Sequence, residues 1–184
     1  MGSPKKQRKK YRRPLVIWQN DLIKEQKKLL KDYGLKNKKE IWRTEGFLTN
    51  IKSQVKQLIA SKTEQAEKEK NQLITRLVKF NLISPSAALE DILVLTINDV
   101  LDKRLQTIVF QKGLAKSPKQ ARQFIVHGHI AINEQKVNIP SFQVMEGMVI
   151  SPKQKLLDTP LMKKLLDEKD ATFPAWLTRQ GPVG

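Results

Sequence analysis

Apolar residues recur at helical spacing from residue 20 onward. Leu22, Ile23, Leu29, Leu30 and Tyr33 keep a 3.6-residue period, and Gly34 follows as a left-handed cap that ends the run. A longer stripe runs through Ile41, Trp42, Leu48, Ile51, Val55, Leu58 and Ile59, with Asn37 and Glu40 at capping-box spacing ahead of it and Gly46 inside it. The segment "EQAEKEKNQLITRLVKF" predicts a third helix. Its buried stripe is Leu73, Ile74, Leu77 and Val78, and its polar front half, Glu64 to Asn71, faces solvent. "SPSAALEDILVL" predicts a short fourth helix started by Ser-Pro.

The texture changes at Thr96, which is placed to cap one helix over "INDVLDKRLQTIVFQK", closed by Gly113. "SPKQARQFIVHG" repeats that grammar: Ser117 caps, Pro118 is the first helical residue and Gly128 stops the helix. Alternation then replaces the helical period. Ile130 and Ile132 share one strand face, "NEQK" turns, and "VNI" returns with Val137 and Ile139. "FQVMEGMVI" reads as two short strands about a Glu146-Gly147 turn. No fixed-period repeat is present. Helices followed by a small antiparallel sheet give the class α+β. Thr159-Pro160 starts a further short helix through Leu166, and "FPAWL", residues 173–177, carries too much apolar area to hang in water and should pack back on an earlier helix.

Charge adds what hydropathy cannot. The 184 residues carry 35 Lys plus Arg against 18 Asp plus Glu, a formal net charge of +17. An excess of that size repels itself in an isolated compact protein and calls for a polyanionic partner, nucleic acid or an anionic membrane surface. The excess is concentrated. Residues 1–13 hold Lys5, Lys6, Arg8, Lys9, Lys10, Arg12 and Arg13 with no acid, and residues 101–155 form the second dense region. The first segment lacks apolar residues for a core and is expected to be a disordered arm until it meets its polyanion. This divides the chain into a basic extended arm (1–13), a helical domain (14–101), a second basic domain (102–165) and a tail (166–184).

Cysteine is absent, which removes disulfides, thiolate zinc sites and cysteine nucleophiles. No apolar run approaches the ~18 residues of a membrane span, the basic start is followed by too short an apolar patch for a signal peptide, and a lipid anchor is not expected. A polybasic membrane-surface protein would need an amphipathic lipid-facing helix beside the second basic cluster, and none is present.

Both histidines, His127 and His129, stand in "HGHI". Two imidazoles need at least one or two further ligands to hold a metal, and neither cysteine nor a third histidine exists; a catalytic reading lacks a nucleophile or orienting carboxylate beside either ring. Gly128 is expected to supply a positive φ between helix and strand while the histidines donate hydrogen bonds at the turn. On the helix beginning at Pro118, Ala121, Phe124 and Ile125 fall on one face and Lys119, Arg122 and Gln123 on the other. That second face, with Lys116 and His127 beside it, offers ammonium, guanidinium and amide donors suited to phosphate and ribose oxygens. The residues expected to touch RNA are the seven arm cations together with Arg104, Lys112, Lys116, Lys119, Arg122, Gln123, His127 and His129. No catalytic group, metal ligand or cofactor is expected.

The stretch "RLQTIVFQKGLAKSPKQARQFIVHGHIAINEQKVNIPSF", Arg104 to Phe142, resembles the RNA-binding domain of the small-subunit ribosomal protein S-four family. Arg104-Leu105, Gly113, Ala115, Ser117, Ala121-Arg122-Gln123, His127-Gly128-His129 and Pro140-Ser141 stand in that family's order and spacing. Some tRNA synthetases and pseudouridine synthases share the domain. "YGLKNKKEIWR", the basic arm, "KRLQT" and the final "PAWL" are similar to the archaeal and eukaryotic branch of the ribosomal protein itself. Glu134-Gln135 stands where the family often has Asn-Gly, and Glu146-Gly147-Met148 where it often has Pro-Gly-Asp. The resemblance implies a structural constituent of the small ribosomal subunit that binds a multi-helix junction of its rRNA early in assembly. It also implies a place near the mRNA entrance, beside neighbours such as small-subunit protein number five, and an influence on decoding accuracy. An RNA-modifying enzyme using the domain as a handle would need a catalytic domain, and residues 14–100 group no acid, base or nucleophile; an assembly or rescue factor is the other rival.

Overall fold

A computed structural model describes residue 9 and residues 11–16, 18–61, 63–85 and 87–153 of the chain. Among the described residues seven helices and three short strands follow one another: α1 Asn20–Asp32, α2 Lys38–Ala60, α3 Glu64–Lys79, α4 Asp91–Val94, α5 Ile97–Asp102, α6 Leu105–Gln111, α7 Pro118–Val126, β1 Ile130–Ile132, β2 Gln135–Lys136 and β3 Ile150–Pro152. The sheet is antiparallel with order β2-β1-β3. The class is α+β. Among the described residues no helix is long and apolar enough to cross a membrane.

Three apolar clusters hold the described residues together. In the first, Leu105 and Val109 of α6, Ala121 and Ile125 of α7, and Ile130, Ile132 and Ile150 of the sheet close a small core. In the second, Ile51 and Val55 of α2 meet Leu77 of α3 and Ile92 of α4. The third is the smallest and lies within the helical half, packing Leu35 and Ile41 against Leu101 of α5. α2 is the backbone of the helical half, and Gly46 passes through it without a break. α1 contributes little: its leucines are half-buried, and its one buried residue is Gln26. On α3 only Ala66 and Leu77 are buried; Leu73, Ile74 and Val78 are partly covered.

The stretch expected to form one helix from Ile97 to Lys112 is two. Arg104 leaves helical geometry (φ −77°, ψ 143°) and pairs with Gln143 as an isolated antiparallel bridge. Leu105 N donates to Phe142 O at 2.7 Å, and Val144 N donates to Lys103 O at 3.1 Å. The break is supported locally, because Thr107 Oγ1 donates to Leu101 O at 2.7 Å and satisfies a carbonyl at the end of α5. A helical period continues through this break, so periodicity alone does not show it. The start of α5 is as expected, with Thr96 and Asp99 forming a capping box.

The hairpin turn is tighter than the four-residue "NEQK". Asn133 and Glu134 alone occupy it, both left-handed (φ 46° and 69°), so Gln135 and Lys136 belong to β2 and Val137 follows the strand. Two positive φ values in a two-residue loop match the twist of the strands it joins. The segment expected as two strands about Glu146-Gly147 supplies β3 and the single bridge at Gln143; Glu146 and Gly147 turn between them, with Gly147 at φ 77°. The "SPSAALEDILVL" helix shrinks to the single turn of α4. The expected Thr159–Leu166 helix and the packing of "FPAWL" fall outside the described residues.

Candidate nucleic-acid interface

α7 presents the chemistry. Ser117 Oγ accepts from Gln120 N at 3.3 Å, Pro118 fills the first helical position, and Gly128 (φ 73°) ends the helix. These three residues set where α7 begins and ends. Ala121 and Ile125 go into the core, leaving Lys119, Gln123, Val126 and His127 exposed. Lys112 at the end of α6 and Lys116 ahead of α7 are exposed as well, and Lys116 N donates to Gln120 Oε1 at 2.8 Å. The two imidazoles stack with ring centroids 6.2 Å apart, and His129, half-buried, meets Phe124 edge-on. Gly128 is needed for its φ; the end of the Lys136 side chain lies over it, where a flexible lysine can move aside. Among the described residues no cluster of three or more metal-ligating side chains occurs.

Two expected RNA contacts are used inside the protein. Arg104 is 6% exposed, and its Nη2 donates to Glu40 Oε2 at 2.7 Å. Arg122, expected to point outward, reaches the same carboxylate: Nη2 donates to Glu40 Oε1 at 2.8 Å and Nη1 to Oε2 at 3.3 Å. Burial costs a lone carboxylate or guanidinium several kcal/mol, so each charge draws the others into the seam. Arg104 is therefore corrected from an RNA contact to a buried structural residue, and Arg122 directs two of its N–H groups to Glu40 and Nη1 also toward Gln106 Oε1 at 3.4 Å. Burial pushes the Glu40 carboxyl up, but the hydrogen bonds and charges of Arg122 and Arg104 outweigh it and hold it below its ordinary range. Glu40 does not close the expected capping box with Asn37, whose side chain makes no cap hydrogen bond.

Beside this network lies Gln106, 1% exposed, whose Nε2 donates toward the carbonyls of Tyr33 and Gly34 (3.0 Å each) and Pro118 (2.9 Å). One amide thus ties the α1–α2 loop to the start of α7. Tyr33, in the same loop, has its hydroxyl pushed up to about 12 by burial and by its hydrogen bond to Asp102. Gly34 (φ 58°) packs so closely on Pro118 that a Cβ would lie 2.8 Å from its backbone carbon. Neither Gln106 nor Glu40 was legible as part of this seam. The only signal was a polar residue at an otherwise apolar helical position, and an acid whose spacing pointed to a cap.

Of the arm cations, Lys9, Arg12 and Arg13 are described and exposed; Lys5, Lys6, Arg8 and Lys10 lie outside the described residues, as do residues 1–8 and 10 of the arm expected to be disordered over 1–13. Residues 11–16 run beside α2, where the Tyr11 and Trp42 rings stack at 6.0 Å.

The family model described as "S4 domain" matches residues 103–150, the α6–α7–sheet unit. A protein named "Small ribosomal subunit protein uS4" from Thermoplasma volcanium is 48% identical over 147 residues, covering 78% of this chain and 74% of the relative. The chain belongs to the uS4 family. Further uS4 relatives are similar over comparable spans. The one from Methanothermobacter thermautotrophicus is 43% identical, covering 80% of this chain and 86% of the relative. The one from Methanococcus aeolicus is 47% identical, covering 78% and 82%. The matches extend well beyond the S4 domain, so the similarity to uS4 includes much of the helical half.

Proposed function

We propose that this uS4 chain is a structural constituent of the small ribosomal subunit, located on the ribosome in the cytoplasm, and binds small-subunit rRNA directly. The observation that carries this reading is the exposed donor face of α7 on a chain of net charge +17 whose relatives are small-subunit proteins. Lys112, Lys116, Lys119, Gln123 and His127 meet phosphate and ribose oxygens on that face, His129 steadies the turn, and the arm cations extend the contact. The seam network serves the same end indirectly, since it fixes how α7 is turned toward the RNA.

By the same reading the chain nucleates assembly of the subunit body and supports decoding accuracy near the mRNA entrance, with mRNA and small-subunit protein number five among its neighbours. The exposed apolar run of Leu15, Val16 and Trp18 supports a protein neighbour, because side chains of that size stay out of water when a partner is available. Sedimentation through a sucrose gradient after a moderate salt wash tests the assignment. A structural constituent remains with the small subunit in one-to-one amount; a chain recovered mostly at the top of the gradient is a transient factor or an enzyme's accessory.

A further inference from the structure

The arm and α2 enclose a groove of about 1560 Å³ that lies outside the S4 domain. Small-molecule pockets occupy roughly 300–1,000 Å³, so this space suits a polymer strand better. Among the described residues its charged lining is Lys9, Arg12, Arg13, Arg43 and Lys52 against one carboxylate, Glu45. The stacked Tyr11–Trp42 pair lies in the same groove, and the buried Nε1–H of Trp42 has no acceptor among the described residues. Arg43 has a second position in the architecture. It also lines the crevice at the seam between the halves, together with Lys36, Lys39 and Arg122. The basic surface is therefore continuous around α2, with Arg43 at the joint.

Cations flanking an aromatic platform are what single-stranded nucleic acid requires. The cations follow the backbone, and the aromatic faces receive bases that a duplex keeps stacked inside itself. We infer that this groove holds a single-stranded segment of small-subunit rRNA. Its phosphates lie on Arg12, Arg13, Arg43 and Lys52, a base rests on the Tyr11–Trp42 pair, and Arg43 leads the strand toward the seam. The inference rests on the reading of the chain as an rRNA binder and adds to it a second surface, on α2. An acidic protein segment matches the charge but gains less from the aromatic pair.

The test is photocrosslinking of the whole protein to small-subunit rRNA carrying 4-thiouridine, with the crosslinked peptides mapped. Crosslinks are expected on the peptides containing Tyr11 and Trp42 as well as on α7. Arg43 is exposed, so Arg43→Ala should keep the circular dichroism of the parent, lower rRNA affinity by about fivefold to a hundredfold and reduce the slope of its salt dependence by about one. Tyr11→Ala should remove the crosslink at the groove and leave those on α7. Crosslinks confined to the S4 domain overturn the groove assignment while leaving rRNA binding by α7 intact, and they are the result expected if an acidic protein segment is the occupant. A wild-type protein that binds no rRNA overturns the functional reading itself.

Discussion

Glu40 of α2 and Arg122 of α7 stand 82 residues apart in the chain and meet at 2.8 Å. With Arg104 on the second carboxylate oxygen, this contact fastens the helical half to the RNA-facing helix. Its side chains are 7%, 15% and 24% exposed for Arg104, Glu40 and Arg122, so the network belongs to the protein's interior rather than to a screened surface.

Removing the shared carboxylate leaves two guanidinium groups facing each other, one of them buried. Glu40→Ala is expected to destabilise the protein by about 3–5 kcal/mol, the range for breaking a buried pair from one side. Urea unfolding measures it. A loss below about 1 kcal/mol would mean that the halves are held by Gln106 and the close Gly34–Pro118 packing without help from the charges.

The same network sets a pH dependence. Glu40 is held below its ordinary value of 4.5, so its contribution is fully present above that value and is lost as pH falls through the lower, folded-state value. Burial moves Glu45 the other way, which favours the folded state at acid pH and partly masks the effect in the wild type alone. The difference in stability between wild type and Glu40→Gln isolates it. That difference should be largest near neutrality and shrink steadily from about pH 4.5 downward. A difference that stays constant into acid would assign the effect of the substitution to packing.

Gly34 tests the loop that Gln106 clasps. Its φ of 58° strains any L side chain, and a Cβ would lie 2.8 Å from the Pro118 backbone. Gly34→Ala is expected to cost about 2–4 kcal/mol, combining left-handed strain with overpacking that the backbone of α7 resists. A thermal midpoint within a degree of wild type would show that the loop yields freely.

The two apolar periods of the chain carry most of the fold. Ser117, Pro118 and Gly128 mark α7 from both ends, and Ile130 and Ile132 mark β1, because caps and alternation are local properties written in adjacent residues. The break at Arg104 is not local. It depends on a strand partner nearly forty residues later and on Glu40 more than sixty residues earlier, so neither a helical wheel nor a cap signal contains it. The site divides the same way. Lys119, Gln123 and His127 are exposed where the helical period puts them, whereas Arg122, on the same polar face, turns to a carboxylate that only the tertiary fold brings near. An arginine's reach makes its destination a question of what else is buried.

Salt dependence of equilibrium binding to small-subunit rRNA tests the central claim most directly. If the chain binds through about 6–10 phosphates, log affinity should fall linearly with log salt at a slope of roughly −4 to −7 for an irregular RNA. Lys119→Ala, at an exposed position on α7, should lessen that slope by about one without changing the unfolding curve. An affinity flat in salt, or a slope that Lys119→Ala leaves untouched, would contradict rRNA binding through this face.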